Sequence, residues 1–119
     1  MKKTTLIFII AGLLFITGLK AQSIPEGMNH LYAQRYTSAT SVFEKLLAVN
    51  PNNIDAIYWL GQVYLDMDEI MSARIAKATQ LYEKAIQTTN GAPLIQVGLG
   101  HAELLAGKMN ESRQHFETA

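Results

Sequence analysis

An internal repeat of small and bulky side chains constrains this chain more than any other feature. Several residues of matching size occupy positions i and i+34: Gly27 and Gly61, Ala78 and Ser112, Tyr82 and Phe116, Ala85 and Ala119. Others occupy positions i and i+39: Leu60 and Leu99, Gly61 and Gly100, Ala39 and Ala78, Phe43 and Tyr82. Self-similarity with a period in this range is typical of arrays of stacked structural units.

The two spacings differ by five residues, which requires one insertion of that length in the second unit. The insertion must lie between Gly61 and Ala78, because every pair of residues at the longer spacing spans this interval and no pair at the shorter spacing does. We expect it in the stretch 66–77, where it would lengthen a helix or the approach to it.

Apolar residues after Glu26 recur every three or four positions, and the alternation typical of strands is absent. This period indicates amphipathic helices. The predicted helices span residues 26–34, 37–50, 54–66, 69–89, 93–106 and 110–119. The connections between them are short, so neighbouring helices should run antiparallel.

Residues that favour helix ends lie between the apolar stripes. Three side chains are predicted to cap the helices that follow them: Asn53, Asp68 and Asn110. Pro51 and Gly107 are expected to follow helix ends, and Asn90-Gly91 is a turn signal. Pro93 suits the first turn of a new helix, where its missing N–H has no partner to lose.

The repeated residues resemble the tetratricopeptide repeat. The first helix of that repeat is matched by Leu60, Gly61 and Tyr64, and again by Leu99 and Gly100. The second helix is matched by Ala39, Phe43 and Pro51, by Ala78, Tyr82 and Ala85, and by Ser112, Phe116 and Ala119. In the first unit only Gly27 fits the first helix, since Glu26 and His30 stand where Leu and Tyr are usual.

The resemblance implies an all-α fold in residues 24–119, with three helix pairs stacked as a right-handed solenoid. The repeats would span about residues 24–53, 54–92 and 93–119. Glycine on the first helix of a pair would let the second helix approach closely, and an aromatic ring would fill the remaining space.

The last unit stops inside its second helix, without a polar helix to cover its apolar face. We therefore expect a piece of a longer protein; the alternative is a self-contained chain whose exposed face pairs with itself.

The N-terminal segment 1–21 has the layout of a secretory signal peptide. Lys2 and Lys3 precede an apolar run from Leu6 to Leu19, and the small residue Ala21 suits cleavage by a signal peptidase. The run is shorter than the roughly 20 residues that span a bilayer as a helix. The sequence therefore predicts a periplasmic or secreted protein, with an uncleaved membrane anchor as the alternative.

Composition narrows the chemistry that the chain can perform. There is no cysteine, so disulfides, thiolate metal sites and a cysteine nucleophile are excluded. Ten basic residues balance ten acidic ones, whereas a nucleic-acid binder needs a basic face. No metal-ligand spacing, phosphate loop or nucleophile motif occurs, so the sequence predicts no enzyme activity, no cofactor and no small-molecule substrate.

Binding of other proteins is the function that the resemblance implies. In tetratricopeptide arrays the first helices line a concave groove, here predicted to be formed by Asp55, Tyr58, Gln62, Asp66, Leu94, Val97, His101 and Leu104. None of these residues is Lys, Arg or Asn, which disfavours a clamp for the carboxylate tails of chaperones. This apolar to mildly acidic groove would accept a partner segment with apolar anchors, or its apolar residues would pack against further repeats.

Three functional hypotheses follow from the sequence. The first is an exported scaffold for protein–protein contacts, for instance in assembly of the cell envelope. The second is a docking or regulatory domain of a larger exported enzyme whose catalytic part lies elsewhere. The third is a membrane-tethered assembly factor, in which the N-terminal segment is retained.

Overall fold

The computed structural model describes residues 22–67 and 69–119, and the predicted signal peptide lies outside these residues. The described chain folds into six α-helices and contains no strand. The helices are α1 (Ile24–Tyr32), α2 (Tyr36–Val49), α3 (Ile54–Asp66), α4 (Met71–Thr88), α5 (Pro93–Leu105) and α6 (Met109–Thr118). The predicted all-α fold is confirmed. Within the described residues, no helix combines the length and hydropathy needed to cross a bilayer.

Local capping explains where several helices begin. The side chain of Asn53 accepts a hydrogen bond from the backbone N–H of Ala56 at 3.1 Å, which confirms the predicted cap of α3. α1 begins two residues earlier than predicted because Ser23 caps it, accepting from the N–H of Glu26 at 3.3 Å. Pro93 occupies the first turn of α5, as predicted.

Two predicted helix starts are wrong. α4 begins at Met71 rather than near Glu69, with Ile70 at its cap position, and the predicted cap Asp68 lies outside the described residues. α6 begins at Met109, so Asn110 lies inside its first turn. The physical reason at α6 is that Gly107, with φ +80°, reverses the chain abruptly after α5. The next helix can therefore start after a connection of only three residues, 106–108.

The first helix of the first and third pairs ends in the same left-handed turn. Gln34 (φ 59°) follows α1 and Gly107 follows α5. In each case the next N–H reaches back to a carbonyl in the last turn, Arg35 to His30 and Lys108 to Glu103. These bonds satisfy carbonyls that a helix end otherwise leaves unpaired. The chain turns tightly at both places, which sets each helix beside its partner.

Each helix pair is closed by one glycine and one aromatic ring. A Cβ added to Gly27 would overlap the ring of Phe43, and one added to Gly61 would overlap Tyr82. A Cβ on Gly100 would lie 2.7 Å from Cε1 of Phe116. The three contacts occupy equivalent places in the pairs α1–α2, α3–α4 and α5–α6, which confirms the predicted role of Gly61 and Gly100.

The pairs stack into one continuous array because the first helix of each unit covers the second helix of the unit before it. α3 covers Ala39 and Phe43 of α2 in one buried cluster. α5 covers Ala78 and Tyr82 of α4 in a second cluster. α1 also contacts α3, and α3 contacts α5, so the first helices form one layer. Such stacking is how helix pairs with apolar faces become stable.

The five-residue insertion is located at the start of α4. The connection from α3 to α4 spans residues 67–70, one residue longer than the connection 33–35 in the first unit. The other four residues extend α4 at its N-terminus, since Ala78 is its eighth residue whereas Ala39 is the fourth of α2. Both outcomes that the sequence allowed, a longer helix and a longer approach, therefore occur together.

Candidate protein-binding groove

A hollow of about 540 Å³ opens where the ends of α1, α3 and α5 lie side by side. All three helix pairs contribute to it. The residues that line this hollow are Leu31, Tyr32, Gln34, Trp59, Gln62, Leu65, Asp66, Arg74, His101 and Leu105. Because Tyr32, Asp66 and Leu105 are the last residues of their helices, the hollow collects three helix C-termini, which carry partial negative charge.

Aromatic side chains form one wall of the hollow. The rings of Tyr32 and Trp59 meet edge to face with centroids 6.3 Å apart. Trp59 makes a second edge-to-face contact with Tyr58 at 5.2 Å. Tyr32 is 67% exposed, so this wall offers an aromatic surface to a ligand. Aromatic rings of this kind contribute large contact areas at interfaces.

A chain of hydrogen bonds connects the second and third units beneath the hollow. The hydroxyl of Tyr82 donates to the carbonyl of Tyr58 at 2.6 Å and accepts from Nε2 of Gln62 at 3.0 Å. Oε1 of Gln62 lies 3.0 Å from Nδ1 of His101. Because an amide oxygen only accepts, this contact places a proton on Nδ1 of His101. The network fixes the orientation of Gln62 and His101, both of which line the hollow.

The environment of Tyr82 favours its neutral form. Burial raises the pKa of its hydroxyl well above the usual value. The hydrogen bond from Gln62 offsets part of this rise in pKa, and the nearby Tyr58 adds to it. The phenol therefore keeps the proton that it donates to the Tyr58 carbonyl over the whole physiological range.

The inserted segment supplies the cation of the hollow. Nη1 of Arg74 donates to the carbonyls of Leu65 and Met67, at 3.0 and 3.3 Å, and so caps the C-terminus of α3. A cation at this end of a helix is favourable because it complements the helix dipole. Its Nε is buried and has no hydrogen-bond partner among the described residues. Arg74 is thus held against the wall of the hollow rather than projecting from it.

The carboxylate of Asp66 is the anionic side chain of the hollow. One oxygen accepts a hydrogen bond from the hydroxyl of Tyr36 at 3.0 Å, and the residue as a whole is exposed. Since Arg74 is engaged with backbone carbonyls, the exposed charge that a ligand would meet at this edge is negative.

The structure brings together three of the eight predicted groove residues, Gln62, Asp66 and His101. Four others lie on the same helices outside the lining of the hollow: Asp55, Tyr58, Leu94 and Val97. The eighth, Leu104, lines a different surface at the end of the array. That any of these residues binds a partner remains a prediction.

Sequence reasoning missed the other seven residues that line the hollow, which are Leu31, Tyr32, Gln34, Trp59, Leu65, Arg74 and Leu105. Leu105 could have been found, because it stands at i+39 from Asp66 and is therefore its equivalent in the third unit. Arg74 gave no such signal, since it belongs to the insertion and has no counterpart in the other units.

Within residues 22–67 and 69–119, no three His, Asp or Glu side chains lie close enough to share a metal ion.

Comparison with known proteins agrees with the repeat geometry. Residues 30–76 match the family model of the tetratricopeptide repeat. The match runs from the end of α1 into the first turns of α4, and so includes the residues around both Phe43 and Gly61.

A relative of known sequence contains a similar segment. The chain is 28% identical over 81 residues to Protein CTR9 homolog of Arabidopsis thaliana. The aligned part is 67% of this chain but 7% of that protein, so the chain spans a small fraction of this relative's length. Helix pairs closed by glycine–aromatic contacts, together with the match over residues 30–76, identify the fold as a tetratricopeptide-repeat-like helical solenoid.

Proposed function

We propose that this chain is an exported scaffold that binds a segment of another protein in the hollow between α1, α3 and α5. The observation that carries the proposal is the convergence of all three units on this hollow, whose lining includes the Tyr32–Trp59 wall and the carboxylate of Asp66. Tetratricopeptide repeats commonly act as binding scaffolds rather than catalysts, and the match to this repeat supports a binding role.

The lining of the hollow suggests the chemistry of the bound segment. An apolar side chain would lie against Trp59 and Leu105, where burial of apolar area is favourable. A Lys or Arg beside it would meet the carboxylate of Asp66 and the negative ends of the helices. The partner would therefore be a protein segment with an apolar anchor next to a basic residue.

Selection of peptides from a random displayed library on the purified chain tests this proposal. Enriched peptides should share an apolar residue beside Lys or Arg. Their binding should fail with Tyr32→Ala and with Leu105→Glu, two substitutions at exposed positions of the hollow. Val49→Glu is the control, because Val49 is 88% exposed and lies outside the hollow. Peptides that bind Tyr32→Ala and Leu105→Glu as well as the unchanged protein would refute the proposed site.

Asp66→Asn tests the charge of the partner. Removing the carboxylate should weaken binding of the selected peptides and make the remaining affinity less sensitive to salt, because screening acts on exposed charge pairs. An unchanged affinity and an unchanged salt dependence would show that the partner carries no basic residue at this position.

The N-terminal segment supports the exported location, for which envelope assembly is the role we propose. Lys2, Lys3 and the apolar run to Leu19 have the order of a signal peptide. Sequencing the N-terminus of the protein recovered from cells should give Gln22, the residue after Ala21. A protein that retains Met1 and partitions with membranes would instead favour the tethered assembly factor.

A docking domain within a larger exported enzyme is the second candidate. It is favoured by the relative in which the matched segment occupies 7% of a much longer protein. The mass of the intact protein in cells separates the two candidates. A protein no larger than the 119-residue sequence would favour the scaffold, and a much larger one would favour the docking domain.

A further inference from the structure

The hydrogen bonds beneath the hollow determine where His101 carries its proton, starting from a backbone carbonyl that can only accept. The hydroxyl of Tyr82 donates its single proton to the carbonyl of Tyr58. It can therefore only accept from Gln62, which turns the amide nitrogen of Gln62 toward Tyr82 and the amide oxygen toward His101. The reversed amide would place two acceptors in contact, Oε1 and the hydroxyl oxygen. The proton on Nδ1 of His101 thus follows from the packing of three helices.

The second ring nitrogen of His101 is available to a ligand. A neutral imidazole carries one proton, so Nε2 holds a lone pair when the proton is on Nδ1. Nε2 is neither buried nor hydrogen-bonded within the part of the chain that the structure describes. Because the ring lines the hollow, neutral His101 offers a hydrogen-bond acceptor to a bound segment.

This acceptor lies near the anionic side chain of the hollow. Gln62 and Asp66 are one turn apart on α3, a spacing that places their side chains on the same face of the helix. His101 contacts Gln62 from α5, and all three residues line the hollow. A single basic residue of a bound segment can therefore approach both the carboxylate of Asp66 and the imidazole of His101.

We propose that His101 recognises the basic residue of the bound segment through Nε2, which accepts a hydrogen bond from it, and that protonation of His101 weakens binding. The inference rests on the proposed function, since it names how the same hollow recognises and releases its partner. Protonation acts in two ways, both in the same direction. It converts Nε2 from an acceptor into a donor, and it places a positive charge near Asp66 that repels the positive charge of the partner.

Protonation of His101 leaves the hydrogen bonds beneath the hollow in place. The added proton goes to Nε2, so the N–H at Nδ1 still donates to the amide oxygen of Gln62. A charged donor strengthens such a hydrogen bond. We therefore expect pH to act on binding and not on the fold.

The other ionisable groups near the ring differ from His101 in the pH range of their titration. They are Tyr32 from α1, Tyr58 and Asp66 from α3, and Arg74 and Tyr82 from α4. An imidazole changes charge between about pH 5 and 8, whereas carboxylates, phenols and guanidinium groups ordinarily do so outside this interval. In the described chain α6 supplies none of the lining of the hollow, and its His115 is bonded to Glu103 at 2.7 Å.

Nitrogen NMR of the isotope-labelled chain tests the proton position without any partner. Couplings between the ring nitrogens and the carbon-bound ring protons show which nitrogen is protonated. At about pH 8, where an imidazole is ordinarily neutral, we expect the proton of His101 on Nδ1. His30 is the internal control with the opposite expectation, because its Nδ1 accepts from Nε of Arg35 at 2.9 Å and its proton belongs on Nε2. A proton on Nε2 of neutral His101 would overturn the inference.

The peptide most enriched by selection at about pH 7.5 is the probe of binding. Its affinity should fall by about three- to tenfold between about pH 7.5 and 5.5, since a site that binds only the neutral ring loses up to about tenfold per pH unit. The matched control is the same peptide with methionine in place of its Lys or Arg, whose affinity should change little with pH. The circular dichroism of the chain should be the same at both pH values.

His101→Asn assigns the effect to this ring. The asparagine amide can still donate to Gln62, but it has neither a titratable group nor the Nε2 acceptor. Affinity at about pH 7.5 should fall by about threefold or more, and its dependence on pH should disappear. His115→Gln is the control, because it removes a histidine outside the hollow and its amide can still donate to Glu103. This variant should keep both the affinity and its pH dependence.

The outcomes separate this inference from the proposed function. Equal affinity at both pH values, or an unchanged pH dependence in His101→Asn or with the methionine peptide, would overturn the inference and leave the hollow as the binding site. A loss of the helix signal at the lower pH would also overturn it, because protonation would then act on the fold. Peptides that bind at neither pH would refute the proposed function, and this role of His101 with it.

Discussion

Replacing Gly61 by alanine inserts a methyl group where the ring of Tyr82 already lies. The new Cβ would overlap Cζ and the hydroxyl oxygen of that ring. Tyr82 cannot retreat, because Gly98 approaches it from the third unit so closely that a Cβ there would lie 2.5 Å from Cζ. The ring is also fully buried, and its hydroxyl is bound to the Tyr58 carbonyl.

The expected cost of Gly61→Ala follows from two opposing effects. Alanine favours the helix over glycine by about 1 kcal/mol. Overpacking a tight core costs about 1–3 kcal/mol, and expelling an aromatic ring costs about 3–5 kcal/mol. Tyr82 is enclosed on both sides, so the cost should lie between that of overpacking and that of expelling the ring. After subtraction of the gain in helix propensity, we expect the free energy of unfolding to fall by about 2 kcal/mol.

Gly100→Ala is the matched control at the equivalent position of the next unit. Its new Cβ would lie 2.7 Å from Phe116, a ring that is 42% exposed and can move outward. The gain in helix propensity should therefore balance or exceed the cost. We expect a free energy of unfolding within about 1 kcal/mol of the unchanged protein.

Thermal unfolding followed by circular dichroism at the helix band measures both variants. In a domain of this size, 1 kcal/mol corresponds to about 4–8 °C in Tm. Gly61→Ala should therefore lower Tm by about 8–16 °C, while Gly100→Ala changes it little. Equal shifts for the two variants would refute the reasoning, because they would show that Tyr82 is no more confined than Phe116.

Three further substitutions test individual contacts. Tyr82→Phe should change the pH dependence of stability, because the pKa of Tyr82 is higher in the folded protein than in the unfolded chain. The neutral hydroxyl therefore contributes its full stabilisation below about pH 10, and the free energy of unfolding falls above that pH by up to ~1.4 kcal/mol per pH unit. Chemical denaturation between pH 9 and 11 should show a steeper decline for the unchanged protein than for Tyr82→Phe, and parallel declines would contradict this. Asn53→Ala removes the acceptor for the Ala56 N–H and should cost about 1 kcal/mol in a urea titration, with Asn52→Ala as a control that leaves this cap intact. Arg74→Met removes the charged donor from the Leu65 and Met67 carbonyls and should lower the free energy of unfolding by about 1–3 kcal/mol. A variant as stable as the unchanged protein would show that water replaces these hydrogen bonds at no cost in stability.

The helix pairs could be predicted from the sequence because their determinants repeat. Gly61 and Tyr82 each have counterparts at the repeat spacing in the neighbouring units, and that spacing reports a contact that each unit must make. Asn53 could be identified as a cap because a side chain bonding to an N–H three residues away is a local event. Structural features that have a local or periodic cause could thus be predicted from the sequence alone.

The start of α4 and part of the lining of the hollow depended on contacts that no local pattern records. Arg74 reaches back across the connection to the end of α3, so its position is set by tertiary structure. Tyr32 and Trp59 lie on helices of different units, and they meet only because α1 and α3 are stacked. The periodic positions Gln62 and His101 were predicted in the groove, whereas residues from the insertion were not.

Three aromatic rings, Phe43, Tyr82 and Phe116, lie against glycines in equivalent places of successive helix pairs, and the proposed binding hollow depends on this arrangement. Nuclear Overhauser contacts between glycine Hα protons and ring protons detect it in solution. We expect such contacts for Gly27 with Phe43, Gly61 with Tyr82 and Gly100 with Phe116, with the glycine protons shifted by the ring currents. A spectrum that lacks the Gly61–Tyr82 contact, or that joins Tyr82 to residues outside α3, α4 and α5, would show that the helix pairs do not stack in this way.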